Sequence, residues 1–324
     1  AFAKRYHWVR LYTPVNEILV AAQFSALNGW WNERLKNDRA FVTALKHLCR
    51  ALILSEQAIL AVRPDAVFIQ SESSTYYHSA VPDAQDSASF LNQRRFISLD
   101  LCFGHAVDAN IYDYLCDNGM RPQEYRWFME QAPPLRPNCI MGSDYYISNE
   151  KKVTDSHGSA EGCGEVLGYY EITKQYHERY KLPIFHTETN RKDEKDAVRW
   201  LYKEWFNILK LRADDLPILG FTWYSFFDQT DWDVELREDN HRINPMGLYD
   251  LDRKIRPVGE AYRQLIAKWK PALLAQPQYR KLSAKKPISR RLPAHSANGR
   301  PKGHPIKRER PPGFHGRKVS RNEG

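Results

Sequence analysis

Two glutamates stand at or near the ends of β-rich runs in the sequence. Glu17 closes the run VRLYTPVNE at residues 9–17, and Glu188 lies near the end of LPIFHTETN at residues 182–190. Two carboxyl groups that reach one sugar from different strands can break a glycosidic bond, because one protonates the leaving oxygen while the other attacks the anomeric carbon or activates water. Either glutamate alone is more simply explained as a solvated charge, so the pair needs support from its surroundings.

The elements that must position this pair alternate between short β-rich runs and longer amphipathic stretches. The β-rich runs lie at residues 9–17, 66–74, 139–146, 182–190 and 218–228. The predicted helices lie at residues 39–61, 121–131, 161–180, 193–213 and 257–269. This alternation favours a parallel sheet covered by helices, because parallel strands need long crossover connections.

Each β-rich run ends in polar or acidic residues, which points to a particular fold class. Function at the carboxyl ends of successive strands is typical of a (β/α)8 TIM barrel. A doubly wound sheet shares that habit but usually carries a Gly-rich phosphate turn after its first strand, and the sequence contains neither GxGxxG nor GxxxxGK(S/T). The sequence therefore predicts an α/β TIM barrel with five visible strands and long loops at residues 75–138 and 147–181.

Charge divides the 324-residue chain into two parts. Residues 271–324 hold 14 Lys and Arg against 2 Asp and Glu, whereas residues 1–270 carry a net charge of −3. The basic segment has too little apolar surface to offset its ordering entropy, so we predict a barrel domain at residues 1–270 and a disordered tail at 271–324. With Tyr279 and Phe314 as its aromatic residues, the tail is poorly suited to base stacking, and we expect neither nucleic acid nor a membrane as its partner.

The 5 cysteines are odd in number, widely spaced and without a CxxC pair. This pattern favours free thiols in a reducing compartment over a disulfide framework or a zinc site, so we expect a cytoplasmic protein without a structural metal. The sequence also lacks the run of about eighteen apolar residues that a membrane-spanning helix needs.

Five motifs, in order along the chain, resemble those of glycoside hydrolase family 1, the β-glucosidase-type TIM barrels. They are TPVNE, MGSDYY, LPIFHTETN, FTWYSFFDQTDW and NPMGLYDLDRKIRPVGEAY. They resemble the family's Asn-Glu on the fourth strand, Gly-x-Asn-Tyr-Tyr on the sixth, Pro-Ile-x-x-Thr-Glu-Asn on the seventh, Trp-Ser-x-x-Asp-Asn-x-Glu-Trp on the eighth, and a closing Phe-Gly-Leu segment. The opening AFAKRYHW resembles the helix before the fourth strand, which implies an amino-terminally truncated barrel with strands four to eight present and strands one to three missing.

The resemblance implies a role for each residue around the glutamate pair. Glu17 corresponds to the general acid/base and Glu188 to the nucleophile. Asn16 corresponds to the residue that hydrogen-bonds the sugar 2-hydroxyl, and Tyr146 to a tyrosine that donates a hydrogen bond to the nucleophile. Because adjacent strand residues point to opposite faces, Asn16 and Glu17 need a local twist or bulge to face one ligand. No metal or organic cofactor is implied.

The eighth-strand segment carries one residue more than the family pattern between its first Trp and Asp228. Either Trp223 or Tyr224 is therefore the expected platform for the sugar ring, and we assign the role to Trp223. Asp231 and Trp232 stand at the family's Glu-Trp, which grips distal sugar hydroxyls. The shorter acid leaves the preference between gluco and galacto sugars open.

Other polar residues near the motifs are further candidates. Asp144 replaces the family's Asn and adds a third acid, which is expected to raise the pKa of a neighbouring carboxyl. His186 either tunes the pair or, more simply, lies in the core. For Glu72 and for Asn149 with Glu150, a solvated or supporting role is favoured.

We therefore expect a retaining glycoside hydrolase that cleaves β-glycosidic bonds in a carbohydrate substrate without a cofactor. The carboxyl groups of Glu17 and Glu188 should lie roughly 5–5.5 Å apart, with the pKa of Glu17 raised and that of Glu188 held low by Tyr146. The altered flanking residues and missing strands leave an alternative from another class: a degenerate, non-catalytic, sugar-binding barrel domain of a larger protein.

Overall fold

The structure is a computed structural model that describes residues 1–31 and 34–274, with side chains described up to residue 272. The last described helix continues to Leu274, past the predicted domain boundary at residue 270. The rest of the predicted tail lies outside the described residues, so the division into a barrel domain and a disordered tail stays a prediction.

The central element is a five-stranded parallel sheet, accompanied by two small sheets. The strands are β1 Leu11–Tyr12, β2 Val67–Ser73, β3 Tyr76–Ser79, β4 Cys139–Asp144, β5 Glu150–Val153, β6 Ala160–Gly162, β7 Ile184–Glu188, β8 Ile218–Phe221, β9 Gln229–Thr230 and β10 Ile243–Asn244. The large sheet has the order β1-β2-β4-β7-β8, and each neighbouring pair is parallel. The five predicted runs are therefore successive parallel strands, whose carboxyl ends share one edge of the sheet.

Helices connect these strands and cover one face of the sheet. They are α1 Phe2–Arg5, α2 Ile18–Ala22, α3 Asp38–Leu60, α4 Gln85–Arg94, α5 Ile97–Phe103, α6 Ala109–Asp117, α7 Pro122–Gln131, α8 Gly168–Tyr180, α9 Glu194–Ala213 and α10 Pro257–Leu274. A π-helical turn follows α2 at Gln23–Leu27, and 3-10 turns lie at Pro82–Ala84, Pro133–Asn138 and Trp232–Val234. The five predicted helices correspond to α3, α7, α8, α9 and α10.

The two segments predicted as long loops contain regular structure of their own. Strands β3, β5 and β6 form a separate three-stranded sheet, which helix α4 covers. Ala84, Ala88 and Leu91 pack there against Val153 in a small core. The sequence pattern did not predict these strands, because they are short and pair with one another instead of extending the main sheet.

All five strands of the large sheet end before the predicted runs do, and the difference is largest for β1 and β8. β1 stops at Tyr12, two residues before Pro14, which has no backbone N–H to offer a neighbouring strand. β8 stops at Phe221, so the remainder of the predicted run at 218–228 is loop. Consequently Glu17 and the aromatic residues after Phe221 lie on connections at the edge of the sheet, not within strands.

Side-chain alternation separates a core face from a site face. Phe68, Met141 and Ile184 pack against the helices in the main core. Ser71, Gly142 and Thr187 occupy the alternate positions of the same strands and come together on the other face. This follows from the two-residue period of a strand. The helix-covered face thus supplies packing, and the opposite face is free to hold polar side chains.

A β-bulge in β7 brings a second polar residue to that site face. The pairing with β4 passes from Ser143 and His186 to Asp144 and Glu188, which leaves Thr187 as an extra residue. A bulge interrupts strict alternation, so Thr187 and the residue after it both make contacts on the site face. The bulge therefore explains how two successive residues of β7 serve one site.

The compartment expectations rest on features the structure also describes. The 5 cysteines are free thiols, and Cys49, Cys102 and Cys139 are buried. Among residues 1–31 and 34–274, no helix combines the length and the apolar character needed to cross a membrane.

We predict that Gly142→Ala destabilises the protein by about 1–3 kcal/mol, because a Cβ there would lie 2.7 Å from the Cα of Ser71 and 2.9 Å from Oγ1 of Thr187. Gly162→Ala is the matched control, since its added Cβ would meet nothing within 4 Å. Urea unfolding of both variants tests the prediction. Equal stability of the two would show that the sheet yields easily at this point.

Candidate active site

Glu17 stands at the beginning of α2, held by a left-handed turn. Its φ is +43°, a region that residues other than glycine seldom adopt. Its backbone N–H donates to the carbonyl of Ser71 at 3.1 Å, which ties the turn to β2. Asn16, the residue before it, donates from Nδ2 to Oε1 of Glu188 at 3.3 Å. A turn after the strand, instead of the expected twist or bulge within it, brings both residues to one place.

Glu72 anchors the helix that Glu17 begins. Its fully buried carboxyl accepts the backbone N–H of Leu19 at 2.8 Å and the hydroxyl of Ser98 at 2.7 Å. The first N–H groups of a helix lack partners within the helix, so a carboxyl group at this end satisfies them. Burial raises the pKa of Glu72 to about 7, although the backbone N–H donors act in the other direction. The favoured supporting role of Glu72 therefore has a structural account.

Glu188 receives a hydrogen bond on each carboxyl oxygen. The hydroxyl of Tyr146 donates to Oε2 at 2.6 Å, and the amide of Asn16 donates to Oε1 at 3.3 Å. Both donors favour the ionised form, but burial is the larger influence and raises the pKa of Glu188 above its ordinary value. Tyr146 therefore lowers the pKa of Glu188, as expected, but the net shift of that pKa is upward because burial outweighs the hydrogen bonds.

Glu17, Asp144 and Glu188 form a cluster of three carboxyl groups. Each offers an oxygen that lies within 4.8 Å of an oxygen of the other two. Oxygens this close are compatible with the carboxyl separation of roughly 5–5.5 Å in retaining glycosidases. Burial raises the pKa of Glu17 well above its ordinary value, and the charges of Asp144 and Glu188 add to the effect.

Asp144 is fully buried and is held by hydroxyl groups. The Ser71 hydroxyl donates to its Oδ2 at 2.5 Å, and the same Ser71 oxygen lies 3.0 Å from Oγ1 of Thr187. Burial and then the charge of Glu188 raise the pKa of Asp144 well above its ordinary value. Ser71 and Thr187 were not among the predicted site residues. The available signal was that each directly precedes a glutamate at a strand end.

Of the two aromatic residues proposed as the sugar platform, Tyr224 faces the carboxyls. Trp223 is only 3% exposed, packs in the main core, and donates from its indole to the carbonyl of Met246 at 2.9 Å. Tyr224 is partly exposed, and the charges of Glu188 and Glu17 contribute, after burial, to raising its pKa. The structure thus favours Tyr224 over the assigned Trp223, because the neighbour of a residue that points into the core points outward.

Trp232 belongs to an aromatic group beside Tyr224. Its indole donates to the Tyr224 hydroxyl at 2.8 Å, and its ring stacks on Trp31 with centroids 6.2 Å apart. Trp31 in turn donates to the carbonyl of Glu235 at 2.7 Å. Trp31 was not among the predicted site residues, although the pair Trp30-Trp31 follows the Asn-Glu motif along the chain. Flat aromatic surface of this kind suits contact with sugar rings.

Asp231 is engaged with the backbone of its own loop. Its carboxylate accepts the N–H groups of Asn240 and His241 on Oδ2 at 3.0 Å and that of Arg242 on Oδ1 at 2.8 Å. It is also only 6% exposed. These contacts make Asp231 the residue that closes the loop after β9, so the contact with distal sugar hydroxyls remains a prediction with little carboxylate surface to support it.

His186 lies on the helix-covered side of β7, away from the carboxyl cluster. Its ring is fully buried, stacks on Tyr169 at 4.2 Å between centroids, and places Nε2 3.5 Å from Oε2 of Glu204. Burial lowers the pKa of His186 to about 3. Of the two readings of His186, the structure favours the core histidine, because strand alternation points it away from Glu188.

Asn149 and Glu150 support the loop after β4. Asn149 donates from Nδ2 to the carbonyl of Asp144 at 3.1 Å and accepts the N–H of Tyr146 at 3.0 Å. Glu150 is buried and accepts the N–H of Gly168 at 2.8 Å at the start of α8. Neither touches the carboxyl cluster directly. Their supporting role is to fix the turn that carries Tyr146.

The pKa of Glu72 generates a prediction about stability. The pKa of Glu72 rises from 4.5 to about 7 on folding. Protonated Glu72 therefore adds to the free energy of unfolding below pH 4.5, and this stabilisation is lost as the pH rises to about 7. The loss amounts to about 3 kcal/mol. Glu72→Gln, which cannot titrate, should weaken the pH dependence of unfolding by that amount, while exposed Glu130→Gln should not. Urea unfolding at pH 4.5 and 7.5 checks this; identical pH dependence in wild type and Glu72→Gln would contradict it.

Comparison with known proteins identifies solved structures that share this fold. No family model and no curated protein matches the chain. Among solved structures, a β-glucosidase from Thermotoga maritima in complex with azafagomine matches with a TM-score of 0.66 and 16% identity, covering 82% of this chain and 65% of that chain. The family 1 β-glucosidase from Thermotoga maritima in complex with isofagomine lactam matches with a TM-score of 0.64 and 15% identity, covering 79% of this chain and 63% of that chain.

The chain thus spans less than two thirds of the length of these β-glucosidases. At this identity the likeness concerns the arrangement of strands and helices. The parallel sheet with its covering helices has the fold of the family 1 β-glucosidases.

Proposed function

We propose that this protein is a retaining β-glycosidase of the family 1 type, with Glu17 as general acid/base and Glu188 as nucleophile. The observation that carries the proposal is the carboxyl cluster at the strand ends, in which oxygens of Glu17 and Glu188 approach within 4.8 Å. Carboxyl groups roughly 5–5.5 Å apart are typical of retaining glycosidases, in which one carboxylate attacks the anomeric carbon directly.

In the proposed first step, an oxygen of Glu188 attacks the anomeric carbon while Glu17 gives its proton to the leaving oxygen. The bond between that oxygen and the anomeric carbon breaks, and a glycosyl ester on Glu188 forms. In the second step, Glu17 takes a proton from water, whose oxygen then displaces Glu188. Two inversions give overall retention.

The electrostatics support this division of roles. The pKa of Glu17 is raised well above its ordinary value with no hydrogen-bond donor offsetting the main causes, whereas Tyr146 and Asn16 both oppose the rise at Glu188. The larger rise favours the protonated form of Glu17, and the two donors favour the ionised form of Glu188. This is the arrangement that an acid and a nucleophile need simultaneously.

The ligand proposed for the site is a carbohydrate. Tyr224 and Trp232 offer aromatic surface beside the carboxyls, and the compared β-glucosidases carry azafagomine and isofagomine lactam in their structures. The mechanism uses two carboxyl groups and needs no metal.

A non-catalytic sugar-binding domain is the second candidate, favoured by two observations. Asp144 crowds the acid/base in a way that the family's Asn does not, and the Asp231 carboxylate is occupied by its own loop. Such a protein would bind a sugar without turning it over.

We predict that the roles of the two glutamates separate in an azide-rescue experiment with an aryl β-glycoside that has a good leaving group. Glu17→Ala should lose about 10²–10⁴-fold in turnover, because general acid/base catalysis is gone. Added azide should restore it and give the β-glycosyl azide. Glu188→Ala should be rescued, if at all, with the opposite anomer, while the exposed Glu130→Gln should behave as wild type.

Rescue of Glu17→Ala with the α-azide, or turnover by Glu188→Ala without azide, would contradict the assignment. Binding of the glycoside by wild type in calorimetry without any turnover would favour the non-catalytic candidate instead.

The stereochemistry of the wild-type reaction gives a second prediction. The first sugar released from a β-glycoside should be the β-anomer, since the carboxyl spacing favours a covalent intermediate. A proton NMR time course of the anomeric signals, recorded before mutarotation, measures this. Initial release of the α-anomer would rule out Glu188 as a nucleophile.

A further inference from the structure

Asp144 is the member of the carboxyl cluster to which the proposed mechanism gives no role. It is fully buried, and one of its oxygens, Oδ2, accepts the Ser71 hydroxyl at 2.5 Å. The other oxygen, Oδ1, is buried without a hydrogen-bond donor among the described residues. Burying a carboxylate oxygen without a hydrogen-bond donor costs free energy. A proton near Oδ1 would reduce that cost.

The neighbouring carboxyl of Glu17 can supply that proton. An oxygen of Asp144 and an oxygen of Glu17 lie within 4.8 Å of each other. Neither carboxylate is a donor when ionised, so the two groups can form a hydrogen bond only while one of them is protonated. The approach of these two carboxyl groups therefore favours a proton held between them.

We propose that Asp144 is the proton partner of Glu17: the two carboxyl groups share one proton, which Asp144 keeps on Glu17 until it passes to the leaving oxygen. Asp144 acts through Glu17 and is a positioning residue. The inference deepens the proposed function and rests on it for its catalytic part. The shared proton itself rests on the geometry of the cluster.

The charge of the cluster balances through the proposed first step. Before the step, Asp144 and Glu188 are ionised and Glu17 holds the proton. After it, Glu17 and Asp144 are ionised, and Glu188 has become a neutral ester by forming its bond to the anomeric carbon. The cluster carries two negative charges in both states. Delivery of the proton from Glu17 therefore occurs as the charge on Glu188 disappears.

The groups that surround the pair come from several elements. They are Glu188 on β7, Glu72 on β2, Tyr146 after β4, Tyr169 on α8 and Tyr224 after β8. Each of these groups is an acid, so none neutralises the pair by charge. The Ser71 hydroxyl stabilises negative charge on Asp144, which leaves Glu17 as the place for the proton.

The test replaces Asp144 by the amide that has the same shape. In Asp144→Asn the like charge beside Glu17 is removed and an N–H donor takes its place, and both changes favour ionised Glu17. The alkaline limb of the kcat/KM profile, measured with an alkyl β-glycoside whose leaving oxygen needs protonation, should move to lower pH by about one unit or more. The exposed Asp113→Asn is the matched control and should leave the profile in place. An alkaline limb that stays in place or moves to higher pH in Asp144→Asn would overturn the proposal.

A second measurement needs no catalysis. Carboxyl-carbon NMR of wild-type protein labelled at Asp and Glu, assigned with Asp144→Asn and Glu17→Gln, should show both groups titrating in the same two coupled steps. Independent single steps would overturn the shared proton, even in an active enzyme. Coupled steps in a protein that hydrolyses no glycoside would support the shared proton while the proposed function fails. If either variant does not fold, the number of steps seen in the wild-type spectrum still decides the question.

Discussion

The repulsion among three buried carboxyl groups is the constraint to which the rest of the site responds. Glu17, Asp144 and Glu188 approach one another within 4.8 Å, in surroundings where charge is poorly screened. Such a cluster is tolerable only if protons and hydrogen-bond donors are distributed unequally among its members. Tyr146 and Asn16 place their donors on Glu188, and the pKa of Glu17 is raised most strongly by burial. Inequality among like groups is what gives each one a separate role.

The fold produces this crowding by bracing the carboxyl ends of the strands from both faces. On the site face, Ser71 and Thr187 hold Asp144, with the bulge in β7 directing two successive residues inward. On the helix-covered face, Glu72 fixes the first turn of α2 and thereby the left-handed turn at Glu17. Strained backbone at a site persists where the surrounding contacts determine it, and here the Ser71 carbonyl accepts the N–H of Glu17 while Glu72 accepts that of Leu19.

The sequence was most informative where strand ends and polar residues coincide. Parallel strands bring their carboxyl ends together whatever the details of packing, so the sequence alone predicts that Glu17, Tyr146 and Glu188 lie close together. The burial of Glu72 could not be predicted from the sequence, because a glutamate at a strand end can equally be exposed to solvent. Its burial follows from its contact with the first turn of α2.

Single-residue ambiguities accounted for most of the remaining differences. One extra residue before Asp228 left the choice between Trp223 and Tyr224 open, and the structure buries Trp223 in the core. Asp231 matched a motif position, but loop closure by three backbone N–H groups depends on residues 240–242, which no pattern connects to it. Small sheets such as β3-β5-β6 leave a similarly weak signal, because strands of three or four residues hardly establish a period.

The two hydrogen bonds on Glu188 are unequal, and the inequality has a consequence for how a ligand enters. At 3.3 Å the contact from Asn16 is much the longer of the two, whereas that from Tyr146 is 2.6 Å. In the proposed mechanism the attacking oxygen must turn toward carbon, and the weaker bond is the one that yields. In that mechanism we expect Asn16 to release Glu188 when a sugar hydroxyl offers its amide another acceptor. A ligand without that hydroxyl would meet a nucleophile still engaged with its own protein.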